Sequence, residues 1–172
     1  MDEREAGGYS VAYSRDNGEF PVYALAAVGA VLVALAFITG EALWLAPGAA
    51  AAGVTYYNLP LIDTGRPTIG ANQYGVFIQA LGLIRWRAIE RIELVPIYQR
   101  TMTFHELQIV LGAPLANALV ADWRRQPFHR SLMRLPWRMR GNTVVRINVE
   151  PFDQTPETIH RTLVRMSDYY RS

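Results

Sequence analysis

Two uncharged apolar stretches lie near the start of the chain, with one acidic residue between them. The first runs from Phe20 to Gly40 and the second from Ala42 to Ile62, on either side of Glu41. About 20 apolar residues in a helix cross the roughly 30 Å hydrocarbon layer of a bilayer. The pattern therefore predicts a transmembrane hairpin over residues 20–62, with its turn at Gly40–Glu41.

Aromatic and small residues fit this hairpin. Trp44, Tyr56 and Tyr57 lie near the predicted span ends, where amphipathic rings favour the headgroup boundary. Small residues spaced four apart let helix backbones approach closely, although alanine-rich helices also produce that spacing by chance. They occur at Ala26, Ala30 and Ala34, and again at Ala49 and Gly53. The second stretch also contains a proline and two glycines, so it is the weaker span and requires a neighbouring helix.

The polar residues around the hairpin predict its orientation. The first twenty residues hold five acids and two arginines, the wrong sign for the start of a secretion signal. We therefore expect a retained anchor, preceded by a flexible leader over residues 1–19. Arg4 and Arg15 precede the hairpin and Arg66 follows it, whereas the turn carries only Glu41. Positive charge stays on the cytoplasmic side, which places both chain ends in the cytoplasm.

Beyond residue 66 the hydrophobic pattern changes to alternation with period two, which is typical of strands buried on one face. It is clearest at Leu107, Ile109 and Leu111, and again over residues 143–149. A short run over residues 86–92 has the spacing of one helical turn before a further strand. These features predict several short strands.

The last eighteen residues have the pattern of an amphipathic helix. Thr155 can cap it, Pro156 suits its first turn, and Glu157 suits the positive end of its dipole. Apolar residues then recur on one face, at Ile159, Leu163, Met166 and Tyr170. Strands followed by one closing helix predict a small α+β domain over residues 66–172.

The stretch from Gly75 to Leu94 resembles the bacterial membrane-anchored pleckstrin-homology-like proteins. Their strand containing a glycine precedes a hydrophobic run, which is matched here by Leu83, Ile84, Trp86, Ile89, Ile92 and Leu94. The resemblance covers about residues 66–172, and that family also places two membrane helices ahead of its domain. It implies a bent antiparallel sheet, or partly open barrel, of about seven strands capped by the C-terminal helix.

Two regions leave this expectation open. Residues 113–141 show no clear strands, and we interpret them as a helical or irregular insertion. Trp86 has two interpretations: it fills the core where the sheet bends, or it anchors at the membrane surface.

Charge is distributed unevenly along the chain. The net charge is +2, yet residues 123–141 carry six arginines and no acid, so the remainder carries 2 − 6 = −4. Uneven charge of this kind favours a local anionic contact. The candidate binding residues are Arg124, Arg125, Arg130, Arg134, Arg138 and Arg140, with Trp123 and Trp137 among them.

Basic and apolar residues intermixed in this way are typical of a segment that lies in a membrane interface. If residues 129–137 are helical, Arg130 and Arg134 share one face. The alternatives are a solvated basic loop that fixes the topology, or docking on anionic lipid headgroups or on an acidic membrane-protein partner. Single-stranded nucleic acid also suits such residues, but two membrane spans and a nearly neutral total argue against it.

The sequence contains no recognisable catalytic motif. It has no cysteine, its three histidines are far apart, and no phosphate-binding loop or metalloprotease motif occurs. We therefore predict a non-catalytic protein without cofactor or metal, in the bacterial inner membrane. Its expected role is that of a scaffold or accessory subunit of a larger complex of integral membrane proteins. The alternative is an anionic-lipid-binding module held at the inner leaflet by residues 123–141.

Overall fold

The computed structural model describes residues 8–62, 66–99, 102–124, 130 and 132–171. Its helices are α1 (Arg15–Thr39), α2 (Leu45–Asn58), α3 (Leu115–Ala118) and α4 (Pro156–Arg171). Its strands are β1 (Tyr9–Val11), β2 (Ile69–Asn72), β3 (Gly75–Ile78), β4 (Gly82–Arg85), β5 (Ile89–Gln99), β6 (Met102–Leu111), β7 (Leu119–Asp122), β8 (Trp137–Arg140) and β9 (Val144–Asn148). Single 3₁₀ turns occupy Ala42–Trp44, Leu59–Ile62 and Trp86–Ala88.

The strands form two antiparallel sheets. The first has the order β1-β2-β3-β4-β7, and the second has the order β5-β6-β9-β8. The coarse expectation of an apolar N-terminal helix, antiparallel sheets and a C-terminal helix is confirmed. The described ranges contain nine strands, more than the about seven that the resemblance implied. Strand β1 was not expected, and the strands that the resemblance implied between residues 112 and 142 are present as β7 and β8, although the sequence does not show them clearly.

The leader is not wholly flexible. Tyr9, Ser10 and Val11 pair with Ala71, Gly70 and Ile69 of β2, so residues ahead of α1 form an edge strand of the first sheet. Val11 is fully buried in the core. The expectation of a flexible leader over residues 1–19 is therefore wrong from residue 8 onward, and residues 1–7 lie outside the described part. Burial of Val11 in the domain core stabilises this strand.

Helices α1 and α2 pack against each other through small residues. A Cβ added at Gly29 would lie 3.4 Å from the Cβ of Ala51, and one at Gly48 would lie 3.0 Å from a methyl of Val33. Gly40 ends α1 with φ 69, the left-handed conformation that favours glycine at this position. The break between α1 and the 3₁₀ turn that precedes α2 therefore lies at Gly40–Glu41.

The second predicted span, Ala42–Ile62, is not one continuous helix. Only α1 is both long and apolar enough to cross a membrane among the described helices, over Val22–Thr39. Helix α2 has 14 residues between two 3₁₀ turns. Pro60 explains its end, because proline has no amide hydrogen to continue the α-helical bonding, and the chain goes on as the 3₁₀ turn Leu59–Ile62.

The core lies between the two sheets and α4. Ile69, Ile84, Leu107 and Ile147 are fully buried, as is Leu163 of α4. The predicted apolar face of α4 thus packs inward. Two side chains of α4 also cover the edge strand β5. The His160 ring donates to the Ile92 carbonyl at 3.0 Å, and the Arg171 guanidinium donates to the Glu90 carbonyl at 2.8 Å. Both carbonyls would otherwise lie open on a sheet edge.

Trp86 belongs to the core. Its side chain is buried, its indole N–H donates to the Asn72 carbonyl at 2.8 Å, and its ring stacks on Tyr170. The core interpretation is therefore correct, and anchoring of Trp86 at a membrane is wrong.

Residues 113–141 contain strands and not simply an insertion. After α3, β7 pairs with β4, and β8 pairs with β9. The described residues 132–136 form turns and irregular chain, which agrees with the irregular interpretation of this part and not with the helical one, whereas Arg130 is helical. Pro136 prevents a helix from continuing there.

Candidate functional site

The two ends of the helical region join the first sheet at the same edge. Val11 lies just before α1, and its partner Ile69 follows α2. The row continues across the sheet to Ile78, Gly82 and Asp122. We call this row, which runs across the ends of all five strands and not along one edge strand, the helix-proximal edge. The opposite, far edge contains Asn72, Gly75 and Arg85.

Backbone contacts also join the second sheet to the same region. The Ser14 amide donates to the Pro151 carbonyl at 2.9 Å, and Tyr13 forms a bridge with Phe152. The Arg134 amide donates to the Tyr57 carbonyl near the end of α2 at 2.8 Å. The start of β8 and the end of β9 therefore lie beside the base of the two helices.

A cleft of about 300 Å³ lies at this junction. It is lined by side chains from the base of the helices and from the second sheet, and we call it the arginine cleft. The lining residues are Tyr13, Leu61, Ile97, Phe104, His105, Glu106, Arg134, Leu135, Pro136, Arg138, Arg146, Asn148 and Pro151. Three arginines and one glutamate line it, so its formal charge with neutral histidine is 3 − 1 = +2.

Two of the arginines are direct cross-strand neighbours. Arg138 of β8 lies opposite Arg146 of β9, an arrangement in which like charges repel. The Glu106 carboxylate compensates the charge of Arg146 by accepting hydrogen bonds from its Nε and its Nη2, the second at 2.7 Å. No carboxylate among the described residues forms an ion pair with Arg134 or Arg138. Within the described ranges, Arg134 and Arg138 are thus the two arginines of the cleft without a paired carboxylate.

The side chain of Tyr13 is buried and lines this cleft. Its ring stacks on the ring of Phe152, with the ring centroids 5.1 Å apart. Burial raises the pKa of its phenol to about 12, and the positive charge of Arg134 opposes part of that rise. The raised pKa means that the folded protein holds the phenol proton more tightly than a solvent-exposed tyrosine does.

His105 is held rigidly at the side of the cleft. The Glu150 carboxylate accepts a hydrogen bond from the His105 backbone amide at 2.8 Å, and the same oxygen lies 2.9 Å from Nδ1 of the His105 ring. Glu157 of α4 lies 3.9 Å from Nε2. The two carboxylates around this one imidazole orient the ring.

The structure separates the predicted arginines. Arg134 and Arg138 line the cleft, and Arg130 is exposed nearby in the chain. Arg124 is paired with Asp122 at 2.6 Å, and Arg140 lies at the opposite end of β8 from the cleft. Arg125 lies outside the described residues.

The two predicted tryptophans have different environments. Trp123 follows β7 at the helix-proximal edge, where its amide donates to the Leu81 carbonyl at 3.1 Å and its side chain is half exposed. Trp137 instead packs against the core. Of the two, Trp123 is the more exposed.

Sequence reasoning missed Tyr13 and Arg146 as parts of the site. Arg146 alternates with Val145 and Ile147, a pattern that shows only that its side chain faces away from the core. Its position beside Arg138 follows from strand register, which the sequence does not reveal.

Within the described residues, no group of three or more acidic, histidine or cysteine side chains could hold a metal ion. Compared with protein-family models, with curated proteins and with solved structures, the chain matches none.

Proposed function

We propose that the chain is a non-catalytic protein of the bacterial inner membrane that binds anionic lipid headgroups in the arginine cleft. A two-helix hairpin anchors it, and a pleckstrin-homology-like domain lies against the cytoplasmic leaflet. The observation that carries this proposal is the 2.8 Å hydrogen bond from the Arg134 amide to the Tyr57 carbonyl. It ties the cationic segment to the base of the helices, where headgroups would lie.

The surface of α1 supports its place in a bilayer. Of the eighteen residues Val22–Thr39, only Val22, Gly29 and Ala36 are buried. Large apolar side chains on the remaining surface are open, including Val31, Phe37 and Ile38. A helix that is apolar on all sides requires an apolar surrounding, and lipid supplies one.

Strand pairing supports a return of the chain through the bilayer. Because β1 and β2 are paired, the residues before α1 and after α2 must lie on one side of a membrane. A single crossing by α1 would separate these strands. Helix α2 measures about 21 Å, and its flanking 3₁₀ turns add about 14 Å, together enough for the hydrocarbon layer.

The same pairing argues against α1 as a removable signal. Cleavage after α1 would remove β1 and uncover the edge of β2, together with the buried Val11. Retention of α1 keeps the first sheet complete.

The energetic argument for headgroup binding is electrostatic. Each cation near an anionic leaflet is attracted by about 1 kcal/mol, so Arg134 and Arg138 together supply about 2 kcal/mol before screening by salt. The anchor makes this contact intramolecular, so even a weak site is occupied.

The test uses the full chain, because a fragment that starts at residue 66 would lack β1. The protein is reconstituted in nanodiscs of phosphatidylcholine alone or with phosphatidylglycerol, and amide hydrogen exchange is followed over residues 97–106 and 132–140. We expect phosphatidylglycerol to increase protection, and high salt to reduce the increase. The variant Arg134→Gln/Arg138→Gln should show no increase in protection with phosphatidylglycerol.

The matched control is Arg85→Gln/Arg87→Gln, which removes the same charge from exposed arginines away from the cleft. It should keep the full effect of phosphatidylglycerol. Equal protection in the two lipid compositions for the wild-type protein would refute headgroup binding.

A second candidate, an accessory subunit of a larger membrane complex, is favoured by Gly53. An added Cβ at Gly53 meets no atom within 4 Å, so this small residue of α2 is open to another helix. Purification from native membranes in mild detergent should then yield a stoichiometric partner that Gly53→Leu releases. Isolation as a lone monomer would count against this role.

A further inference from the structure

The β5–β6 hairpin extends beyond the rest of its sheet. Strand β9 pairs with β6 only between Glu106 and Val110. Past that point Pro96–Gln99 pair with residues 102–105 alone. Tyr98 lies three residues beyond Val95, the partner of Glu106, which places it about 10 Å past the end of β9. We call residues 96–99 and 102–104 the arm.

The arm extends on the side of the helices. Ile97 and Phe104 are cross-strand neighbours within it, and both line the arginine cleft. Leu61, which ends the helical region, and Tyr13, which precedes it, line the same cleft. The part of the arm that contains Ile97 and Phe104 therefore lies beside the base of α1 and α2.

Large apolar side chains are exposed around this base. Tyr98 is 78 % exposed, Leu132 is 54 % exposed and Leu135 is 40 % exposed. Leu132 and Leu135 flank Arg134, whose amide is bonded to Tyr57, and Leu135 also lines the cleft. Leucine gains nothing from water, whereas the tyrosine ring suits a boundary with one apolar side and one wet side.

We propose that Tyr98, Leu132 and Leu135 insert into the headgroup region of the leaflet that surrounds α1. This interfacial contact rests on the proposed membrane anchoring but is independent of whether the arginine cleft selects anionic lipid. The partner is the bilayer itself, because the exposed apolar residues continue from the base of the proposed anchor. The arm gives the domain a second, fixed contact with the membrane.

The test places one spin label at a time on the full chain in liposomes. The protein has no cysteine, so each substitution creates the only labelling site. Tyr98→Cys and Leu132→Cys report on the interface. Tyr74→Cys is the matched control, since Tyr74 is 63 % exposed but lies in the turn at the far edge. Val31→Cys, in the middle of α1, reports on the anchor.

We expect the labels at 98 and 132 to lose accessibility to a water-soluble nickel chelate, and to gain accessibility to oxygen, relative to the label at 74. The label at 31 should be deeper than both. The interfacial contact alone would be overturned if the label at 31 is deep but the labels at 98 and 132 are as accessible to the nickel chelate as the label at 74. A water-accessible label at 31 would overturn the anchoring and this inference together.

Discussion

Val11 and Ile69 are partners on adjacent antiparallel strands, although both α1 and α2 lie between them in the chain. The amide of Thr68 donates to the Val11 carbonyl at 2.8 Å, which extends the pairing toward the helices. The helical region is thus an insertion between two paired strands of one sheet. This relationship fixes the two ends of the insertion on one side of any membrane.

The first prediction concerns topology. Single cysteines at Ser10, Glu41 and Tyr74, all exposed, are labelled in intact cells with a membrane-impermeant maleimide. We expect Glu41→Cys to react from the periplasm, and Ser10→Cys and Tyr74→Cys to react only after lysis. Opposite behaviour of positions 10 and 74 would contradict the β1–β2 pairing, and equal behaviour of all three positions would contradict the hairpin.

The second prediction concerns the contribution of β1 to stability. Val11→Asp places an unpaired carboxylate in the core and should lower the free energy of unfolding of the domain by about 3 kcal/mol or more. Ser10→Asp, in the same strand but exposed, should change it by less than about 0.5 kcal/mol. Thermal unfolding in detergent measures both variants. Equal melting temperatures would show that β1 is dispensable.

Elements with strong local patterns could be predicted from the sequence. The alternation of Leu107, Ile109 and Leu111 indicates β6, and the capped amphipathic run beginning at Thr155 indicates α4. In both cases the residues that define the element are adjacent or one turn apart, so no knowledge of distant partners is required.

Elements defined by distant pairing could not be predicted in the same way. Strand β1 has three residues, and its strand character comes from pairing with β2 across the whole helical insertion. In β8, Trp137 and Met139 alternate with Arg138 and Arg140, which is the pattern of a strand. The arginines nevertheless led us to interpret this segment by its charge and not by its period of two. The cleft could not be predicted either, because its formation depends on both strand register and tertiary packing. Strands β8 and β9 and the base of the helices each supply part of its lining.

The third prediction separates binding from stability at Arg138. Since Arg138 faces Arg146 across the strands, Arg138→Gln should stabilise the lipid-free domain by a few tenths of a kcal/mol while weakening the response to phosphatidylglycerol. Arg140→Gln is the matched control because its cross-strand partner is Val144. It should change neither property. Denaturant titration and hydrogen exchange in nanodiscs give the two measurements. Destabilisation by Arg138→Gln would show that the arginine serves the fold.

The last prediction concerns alkaline pH. Burial raises the pKa of Tyr13 to about 12 from an ordinary value of 10.0. The folded state therefore holds the phenol proton more tightly than the unfolded chain. Its contribution to stability is fully present below pH 10 and is lost as pH rises toward 12, by at most about 1.4 kcal/mol per pH unit.

Tyr13→Phe keeps the ring that stacks on Phe152 and removes the proton, so its stability should fall less steeply between pH 10 and 12. The slope will not vanish, because burial, reinforced by the charge of Asp153, also raises the pKa of Tyr9 to about 12. Tyr9→Phe should reduce the slope as well, and the double variant should reduce it further. Denaturant titrations at several pH values measure these slopes, and a Tyr13→Phe slope equal to that of the wild type would contradict the buried, protonated phenol.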